Sequence, residues 1–156
     1  MPTGYQERDM LYPLQKGIKA RLDQGNITYG AVVGSQKGSS VAVKVYDRPP
    51  EDAALPLIYV GEIAAQAPNN TKTRIGKDLI FTVHVVSEYQ GNKEAAFIAN
   101  QVMKLITSPR LDLSADRLFV MKSSAGQVQP RTLEGQLVDW AVQINFTIFE
   151  MDSPAF

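Results

Sequence analysis

The glycine-rich stretch 30–40, GAVVGSQKGSS, is the first candidate for chemistry. A phosphate-binding loop needs the pattern GxxxxGK[ST], in which a lysine directly follows the second glycine and a helix comes next. Here Lys37 precedes Gly38, and the valine-rich segment 41–47 follows. The stretch therefore predicts a flexible loop and not a phosphate cradle.

His84 is the single histidine, and the chain has no cysteine. Disulfides, thiolate catalysis and thiolate or histidine-cluster metal sites are thereby excluded, so any ion would need carboxylates alone. A lone imidazole could act as a general base, but no nearby serine and acid form a triad motif. Beside Thr82 and Val86 on a strand, His84 is expected to be a packed or hydrogen-bonded structural residue.

Two charged groups complete the candidates. Glu51 and Asp52 are adjacent, and adjacent side chains of an extended chain point apart, so a shared acid/base pair is not expected. A localised basic stretch spans residues 71–77 and contains Thr71, Lys72, Thr73, Arg74 and Lys77. It could contact nucleic acid phosphates or an acidic protein surface. A solvated loop is the alternative, and the sequence alone slightly favours it.

The bulk composition is that of one ordinary globular domain. Of the 156 residues, 44% are apolar and 21% charged, and 16 basic residues balance 16 acidic ones. Zero net charge provides no global attraction to nucleic acid or membrane. No apolar run is long enough for a membrane span, and the N-terminus lacks signal-peptide order. We expect a soluble protein with one domain over residues 1–150 and an exposed tail over 151–156.

The longest structural pattern is the alternation in 138–150, VDWAVQINFTIFE. Its odd-numbered residues are mostly polar, and the apolar side consists of Val138, Trp140, Val142, Ile144, Phe146 and Ile148. This period of two predicts a long strand with one buried and one wet face. Further strands are predicted over 41–47, 57–63, 78–89 and 117–122, with a possible short one at 27–33. Polar stretches 64–77 and 123–136 are predicted to be long connections.

Two helices are predicted from apolar residues at spacings of three and four. The first covers 8–24, and the second follows a cap at Asn92 and ends at Ser108–Pro109. Together these elements predict an α+β fold with a mainly antiparallel sheet of about four to six strands. The two helices are expected to pack on one face of that sheet.

Four segments, taken in order, resemble a known family. They are VKVYDRPPED (43–52), LPLIYVGE (55–62), HVVSEYQGNKEAAFIANQVMKLI (84–106) and GQLVDWAVQINFTIFE (135–150). This series is similar to that of the tail-completion, or tail-terminator, proteins of phages with long non-contractile tails and of related gene transfer agents. The resemblance spans roughly residues 41–150, with a looser match in the first helix.

The resemblance implies a structural virion protein without catalytic residues, metal or cofactor. Such proteins form a ring, usually of six copies, that caps the head-proximal end of the tail tube. The ring ends polymerisation of the tube protein and offers the surface that joins the head connector, or stopper, protein. The genome passes through its central hole. This places the protein in the virion tail, at the head–tail interface, after assembly in the host cytoplasm.

The resemblance also suggests which residues make contacts. The projecting loop is expected to meet neighbouring copies, the tube or DNA through Asn69, Thr71, Lys72, Thr73, Arg74 and Lys77. Charged contacts between subunits are expected from Arg48, Glu51 and Asp52. Two alternatives stay open: another tail or connector subunit, such as a tube or stopper protein, and a small-molecule-binding or enzymatic α+β module that uses the sheet face opposite the helices.

Overall fold

The computed structural model describes residues 9–29, 41–68, 75–88, 93–132 and 137–151. In chain order its elements are α1 (Leu11–Gln24), β1 (Thr28–Tyr29), β2 (Val41–Ala42), β3 (Lys44–Tyr46), β4 (Leu57–Pro68), β5 (Gly76–Ser87), α2 (Lys93–Thr107), a 3-10 turn (Ser114–Asp116), β6 (Leu118–Thr132) and β7 (Val138–Glu150). The predicted α+β fold is confirmed. The predicted cap at Asn92 and the tail beyond Met151 lie outside the described residues.

Five strands form the main sheet in the order β3-β4-β5-β7-β6. All neighbouring pairs are antiparallel except β3 and β4, which run parallel. Strand β5 lies at the centre and pairs with β7 over twelve consecutive positions, from Gly76 opposite Phe149 to Ser87 opposite Val138. A second ladder joins the two-residue strands β1 and β2. The sheet is therefore mainly antiparallel, as predicted.

Both helices cover the same face of this sheet, which we call the inner face. Alternate residues of β5 and β7 and the apolar stripes of both helices build one buried core. Its central members are Leu14, Ile18, Leu22, Leu79, Phe81, Val83, Val85, Ala95, Ile98, Val102, Ile106, Val142, Ile144, Phe146 and Ile148. The helical spacing of three and four and the strand spacing of two both appear in this list, because each element buries one side.

Arg21 joins the two helices at one end. Its guanidinium donates hydrogen bonds to the carbonyl oxygens of Leu105, Pro109 and Arg110 at 2.8, 2.7 and 3.2 Å. Carbonyls at the end of a helix have no partner within the helix, and a cation there also interacts favourably with the helix dipole. Arg21 of α1 thus caps the C-terminal end of α2.

The prediction of one strand over 41–47 is wrong. The segment divides at Val43, whose amide donates to the carbonyl of Ile27 at 2.9 Å instead of continuing a ladder. Residues before this point pair with β1, and β3 pairs with β4. The described residues before α2 therefore contain five strands, where three or four were expected. The cause is a long-range backbone bond that periodicity cannot detect.

The two polar connections are much shorter than predicted. β4 continues to Pro68 and β5 begins at Gly76, so residues 64–68 and 76–77 are strand, and β6 continues through Thr132. Polar residues are compatible with these strands because only one face of the sheet is covered by helices. Pro130 lies in β6, an edge strand, where a missing amide proton is tolerated.

Candidate functional site: an ionic chain on the outer face

The first predicted contact group lies on the surface. Arg48, Glu51 and Asp52 follow β3 in a bend and turn, and all three are exposed. The amide of Ala53 donates to the carbonyl of Pro50 at 3.1 Å, which closes this turn. The segment is therefore exposed and available for contacts.

The second predicted group is only partly described. Asn69, Thr71, Lys72, Thr73 and Arg74 lie outside the described residues, whereas Lys77 is half-buried in β5. Lys77 lies opposite Pro68 of β4, and Tyr46, at the end of β3, lies opposite Tyr59. Those two positions on β4 are nine residues apart, or about 30 Å of extended chain. The end of β3, which precedes the turn with Arg48, Glu51 and Asp52, therefore lies far from Lys77 along the sheet.

The outer face of the sheet, opposite the helices, carries a connected set of charged groups. His84 Nδ1 lies 2.9 Å from Asp139 Oδ1, and His84 Nε2 lies 3.1 Å from Glu62 Oε2. Arg131 donates to the other oxygen of Asp139 at 2.9 Å. We call Glu62, His84, Asp139 and Arg131 the ionic chain. It crosses four neighbouring strands, β4, β5, β7 and β6.

Strand register brings these side chains together. Asp139 lies opposite Arg131 in the β6–β7 pair, and His84 lies opposite Tyr59 in the β4–β5 pair. The Tyr59 and His84 rings stack with centroids 4.5 Å apart and an angle of 6°. At Gly61 a Cβ atom would lie 2.6 Å from His84 Cδ2 and 2.8 Å from the Thr82 carbonyl oxygen. The imidazole therefore occupies space that only a glycine leaves free.

The two ends of the ionic chain are exposed and its middle is buried. His84 and Asp139 have exposures of 5% and 1%, whereas the Glu62 and Arg131 side chains have exposures of 74% and 65%. The prediction that Asp139 belongs to a wet face is thus wrong for this residue. Its carboxylate is tolerated because His84 and Arg131 each occupy one of its oxygens.

These contacts shift the pKa of each acidic group and of the imidazole. The hydrogen bond with Asp139 raises the pKa of His84 against the opposing effect of burial, and the contact with Glu62 adds to the rise. Burial alone would raise the pKa of Asp139, but the bonds from His84 and Arg131 outweigh it and lower that pKa. The bond with His84 lowers the pKa of Glu62. Burial and the two nearby carboxylates raise the pKa of Tyr59. The contacts within the ionic chain therefore favour its fully charged form.

This arrangement is suited to holding strands and not to proton abstraction. A general base needs an imidazole nitrogen that is free to face a substrate, and both nitrogens of His84 contact carboxylates. Within the described ranges, no group of three or more histidine, aspartate or glutamate residues could hold a metal ion. As expected from its strand position, His84 is packed and hydrogen-bonded.

The outer face also contains a polar hollow of about 220 Å³. Its lining includes Gln66, Asp78, Lys122, Ser124, Asn145 and Thr147. The Thr147 hydroxyl donates to Asp78 at 2.7 Å across the β5–β7 pair. Small-molecule sites are usually larger, about 300–1,000 Å³, and mostly apolar. The hollow therefore gives little support to the small-molecule alternative.

Sequence reasoning identified His84 but not its partners. Glu62, Asp139 and Arg131 lie 22, 55 and 47 positions from His84 in the chain, and only strand register joins them. One local signal was present: Gly61 interrupts the predicted strand LIYVGEI. An isolated glycine inside a strand indicates a bulge or the close approach of another group.

Fold and site together define an α+β protein in which Glu62, His84, Asp139 and Arg131 contact one another across four strands of the sheet. A sequence model for the family described as Tail completion protein gp17 matches residues 29–148. The match covers well over half of the chain, and the protein belongs to this family. The resemblance seen in the sequence is thereby confirmed, and the protein is a structural component of the virion tail.

A solved structure with a similar fold comes from a gene transfer agent particle. It is a chain of the "Virion of native gene transfer agent (GTA) particle", with a TM-score of 0.69 and 21% sequence identity. The similarity covers 87% of this chain and 94% of that chain. At this identity the likeness establishes the shared fold. No curated protein matches the sequence. Among the described residues, no helix is long and apolar enough to cross a membrane.

Proposed function

We propose that this protein forms a closed ring of six copies at the head-proximal end of the tail tube. The ring ends polymerisation of the tube protein and provides the surface that joins the head. Membership of the Tail completion protein gp17 family is the observation that carries this proposal. The fold shared with a chain of a gene transfer agent virion supports it.

The proposed job is mechanical and involves neither catalysis nor a cofactor. A ring forms when one surface of a subunit binds a different surface of the next and the rotation closes. Closure limits growth, which suits a component that must stop a tube. The rigid sheet with two helices on one face holds these surfaces in a fixed relation, and the ionic chain ties four of its strands together.

The proposed partners are further copies of the chain, the tail tube protein and a head-completion or stopper protein. DNA passes non-specifically through the channel, and the chain as a whole, with zero net charge, exerts no general attraction on its phosphates. The site of action is the head–tail interface of a siphovirus-like tail, after assembly in the host cytoplasm.

Contacts at this position are assigned to two segments. The segment that contains Asn69, Thr71, Lys72, Thr73 and Arg74, together with Lys77 at the start of β5, meets neighbouring copies, the tube or passing DNA. The exposed turn that contains Arg48, Glu51 and Asp52 makes charged contacts between subunits. Contacts between exposed charges are weakened by salt, so ring formation should depend on ionic strength.

Negative-stain electron microscopy of the purified protein tests the ring proposal. Single closed rings are the expected result, alone or after addition of tail tube subunits. Open-ended tubes formed by this chain alone would identify a tube protein instead. Particles that neither close nor bind tubes would contradict the proposal.

The loop assignment has its own test. Replacing Lys72, Arg74 and Lys77 with alanine should leave the fold intact and impair tail capping or joining. A control variant with Lys16, Lys19 and Lys104 replaced removes the same charge from the two helices. The measurement is the yield of infectious particles in a complementation assay. Normal yields from the loop variant would show that the assignment is wrong.

A further inference from the structure

The geometry of the ionic chain determines the protonation state of His84. Each ring nitrogen of His84 lies within hydrogen-bond distance of a carboxylate oxygen, 2.9 Å from Asp139 and 3.1 Å from Glu62. An ionised carboxylate only accepts hydrogen bonds, so each nitrogen must donate. A neutral imidazole has one N–H group, and only the imidazolium has two.

We infer that His84 is an imidazolium cation in the folded protein at neutral pH, that it ties β4 to β7 across β5, and that its deprotonation at alkaline pH releases Glu62 from the outer face. The other carboxylate, Asp139, stays in place because Arg131 holds its second oxygen. The ionic chain is thus a pH-sensitive clamp with one fixed and one releasable end.

Charged and titratable groups from every neighbouring strand of the sheet support the cation. β4 contributes Glu62 and the stacked ring of Tyr59, β7 contributes Asp139, and β6 contributes Arg131. The two carboxylates directly contact the imidazole, whereas the guanidinium reaches only Asp139. With the imidazolium, the four charges of the ionic chain sum to zero. Loss of the proton leaves a net negative charge on this part of the outer face.

Burial determines which contact breaks. The Asp139 side chain has an exposure of 1%, and that of Glu62 has an exposure of 74%. A neutral imidazole keeps its single N–H toward the buried carboxylate, which cannot reach water. Its other nitrogen then presents a lone pair to Glu62, so two acceptors face each other. Glu62 can rotate into solvent at little cost, because it is already mostly exposed.

Nuclear magnetic resonance of protein labelled with 15N-histidine tests this directly. Since the chain has one histidine, a single pair of ring nitrogens is observed. The expected result at neutral pH is two protonated ring nitrogens and a titration midpoint above about 6.5, the ordinary histidine value. A neutral ring with one unprotonated nitrogen at pH 7, or a midpoint at or below that value, would overturn the inference.

Variants identify the carboxylates responsible. Glu62→Gln should lower the midpoint of His84, and Asp139→Asn should lower it further. Asp23→Asn is the control, since it removes a carboxylate from α1 on the opposite side of the sheet. If Asp139→Asn does not fold, the exposed Glu62→Gln variant alone decides. An unchanged midpoint in Glu62→Gln would contradict the releasable contact.

Discussion

The two faces of the sheet are built from the same strands but held by different forces. On β5, Val83 and Val85 point to the inner face and His84, between them, points to the outer face. On β7, Phe146 belongs to the core, whereas Asp139 belongs to the ionic chain. Apolar contacts on the inner face are many and non-directional, and those of the ionic chain are few and directional.

This difference separates two tasks. Burial of apolar area on the inner face drives folding and does not depend on pH. The ionic chain fixes how four strands lie relative to one another, and its contribution depends on the protonation of His84, Asp139 and Glu62. A ring subunit needs both a stable core and a rigid outer surface. Variants on the two faces should therefore behave differently.

The largest effect is expected on the inner face. Phe146→Ala removes a side chain that is 1% exposed at the centre of the core. Lost burial and the resulting cavity should lower the free energy of unfolding by about 3–5 kcal/mol, measured by urea denaturation. Asn145→Ala, the exposed neighbour on the same strand, should change it by less than about 0.5 kcal/mol. Equal effects would contradict the assignment of the two faces.

The second-largest effect is expected when Asp139, the buried carboxylate of the ionic chain, is replaced. Asp139→Ala leaves His84 and Arg131 without the carboxylate that both contact. Removing one partner of a buried charged pair should cost about 3 kcal/mol near neutral pH. Asp23→Ala removes an exposed carboxylate from α1 and is expected to cost less than about 1 kcal/mol. If both variants lose the same stability, the ionic chain does not hold the strands.

His84→Gln should show a pH-dependent loss. The folded-state pKa of His84 is raised by Asp139 and Glu62, so its contribution is complete below about pH 6.5, the unfolded value. That contribution is lost as pH rises through the raised pKa. The wild-type advantage, about 2 kcal/mol in mildly acidic buffer, should therefore shrink toward alkaline pH. Melting curves across this range provide the measurement, and a constant difference would contradict the prediction.

The smallest effect concerns the helix layer. Arg21→Ala removes hydrogen bonds to the carbonyl oxygen of Leu105 in the last turn of α2 and to those of Pro109 and Arg110 just after it. We expect a loss of about 1–2 kcal/mol, because a favourable, partly buried charge at a helix end is worth about that much. Arg21→Lys keeps the charge without the planar fork and should lose less. Thermal unfolding of both variants tests the order, and equal losses would exclude a contribution from the charge.

Periodicity predicted the helices and strands whose apolar residues all lie on one side of the element. β7 and α2 were found because their apolar residues recur at spacings of two and of three and four. The strand over 41–47 was misjudged because the bond between Val43 and Ile27 is not local. The long connections were overestimated because exposed faces and edges of a sheet accept polar residues.

The outer-face site was less accessible to sequence reasoning. His84 was correctly expected to be structural. Its contact with Asp139 could not be predicted, because it depends on the strand register, and a shift of one residue would place Asp139 on the other face of the sheet. The contact of Asp139 with Arg131 likewise requires the β6–β7 pairing. The assigned loop and turn contacts stay predictions, since they depend on partner chains.

The most direct test of the proposed role is where the protein binds on a tail tube. Gold-labelled protein should be mixed with tubes assembled from the tube subunit and imaged by electron microscopy. The account predicts label at one end of each tube, together with an end to further growth when tube subunits are added. Label along the tube walls, or continued growth from the labelled end, would contradict the terminator role.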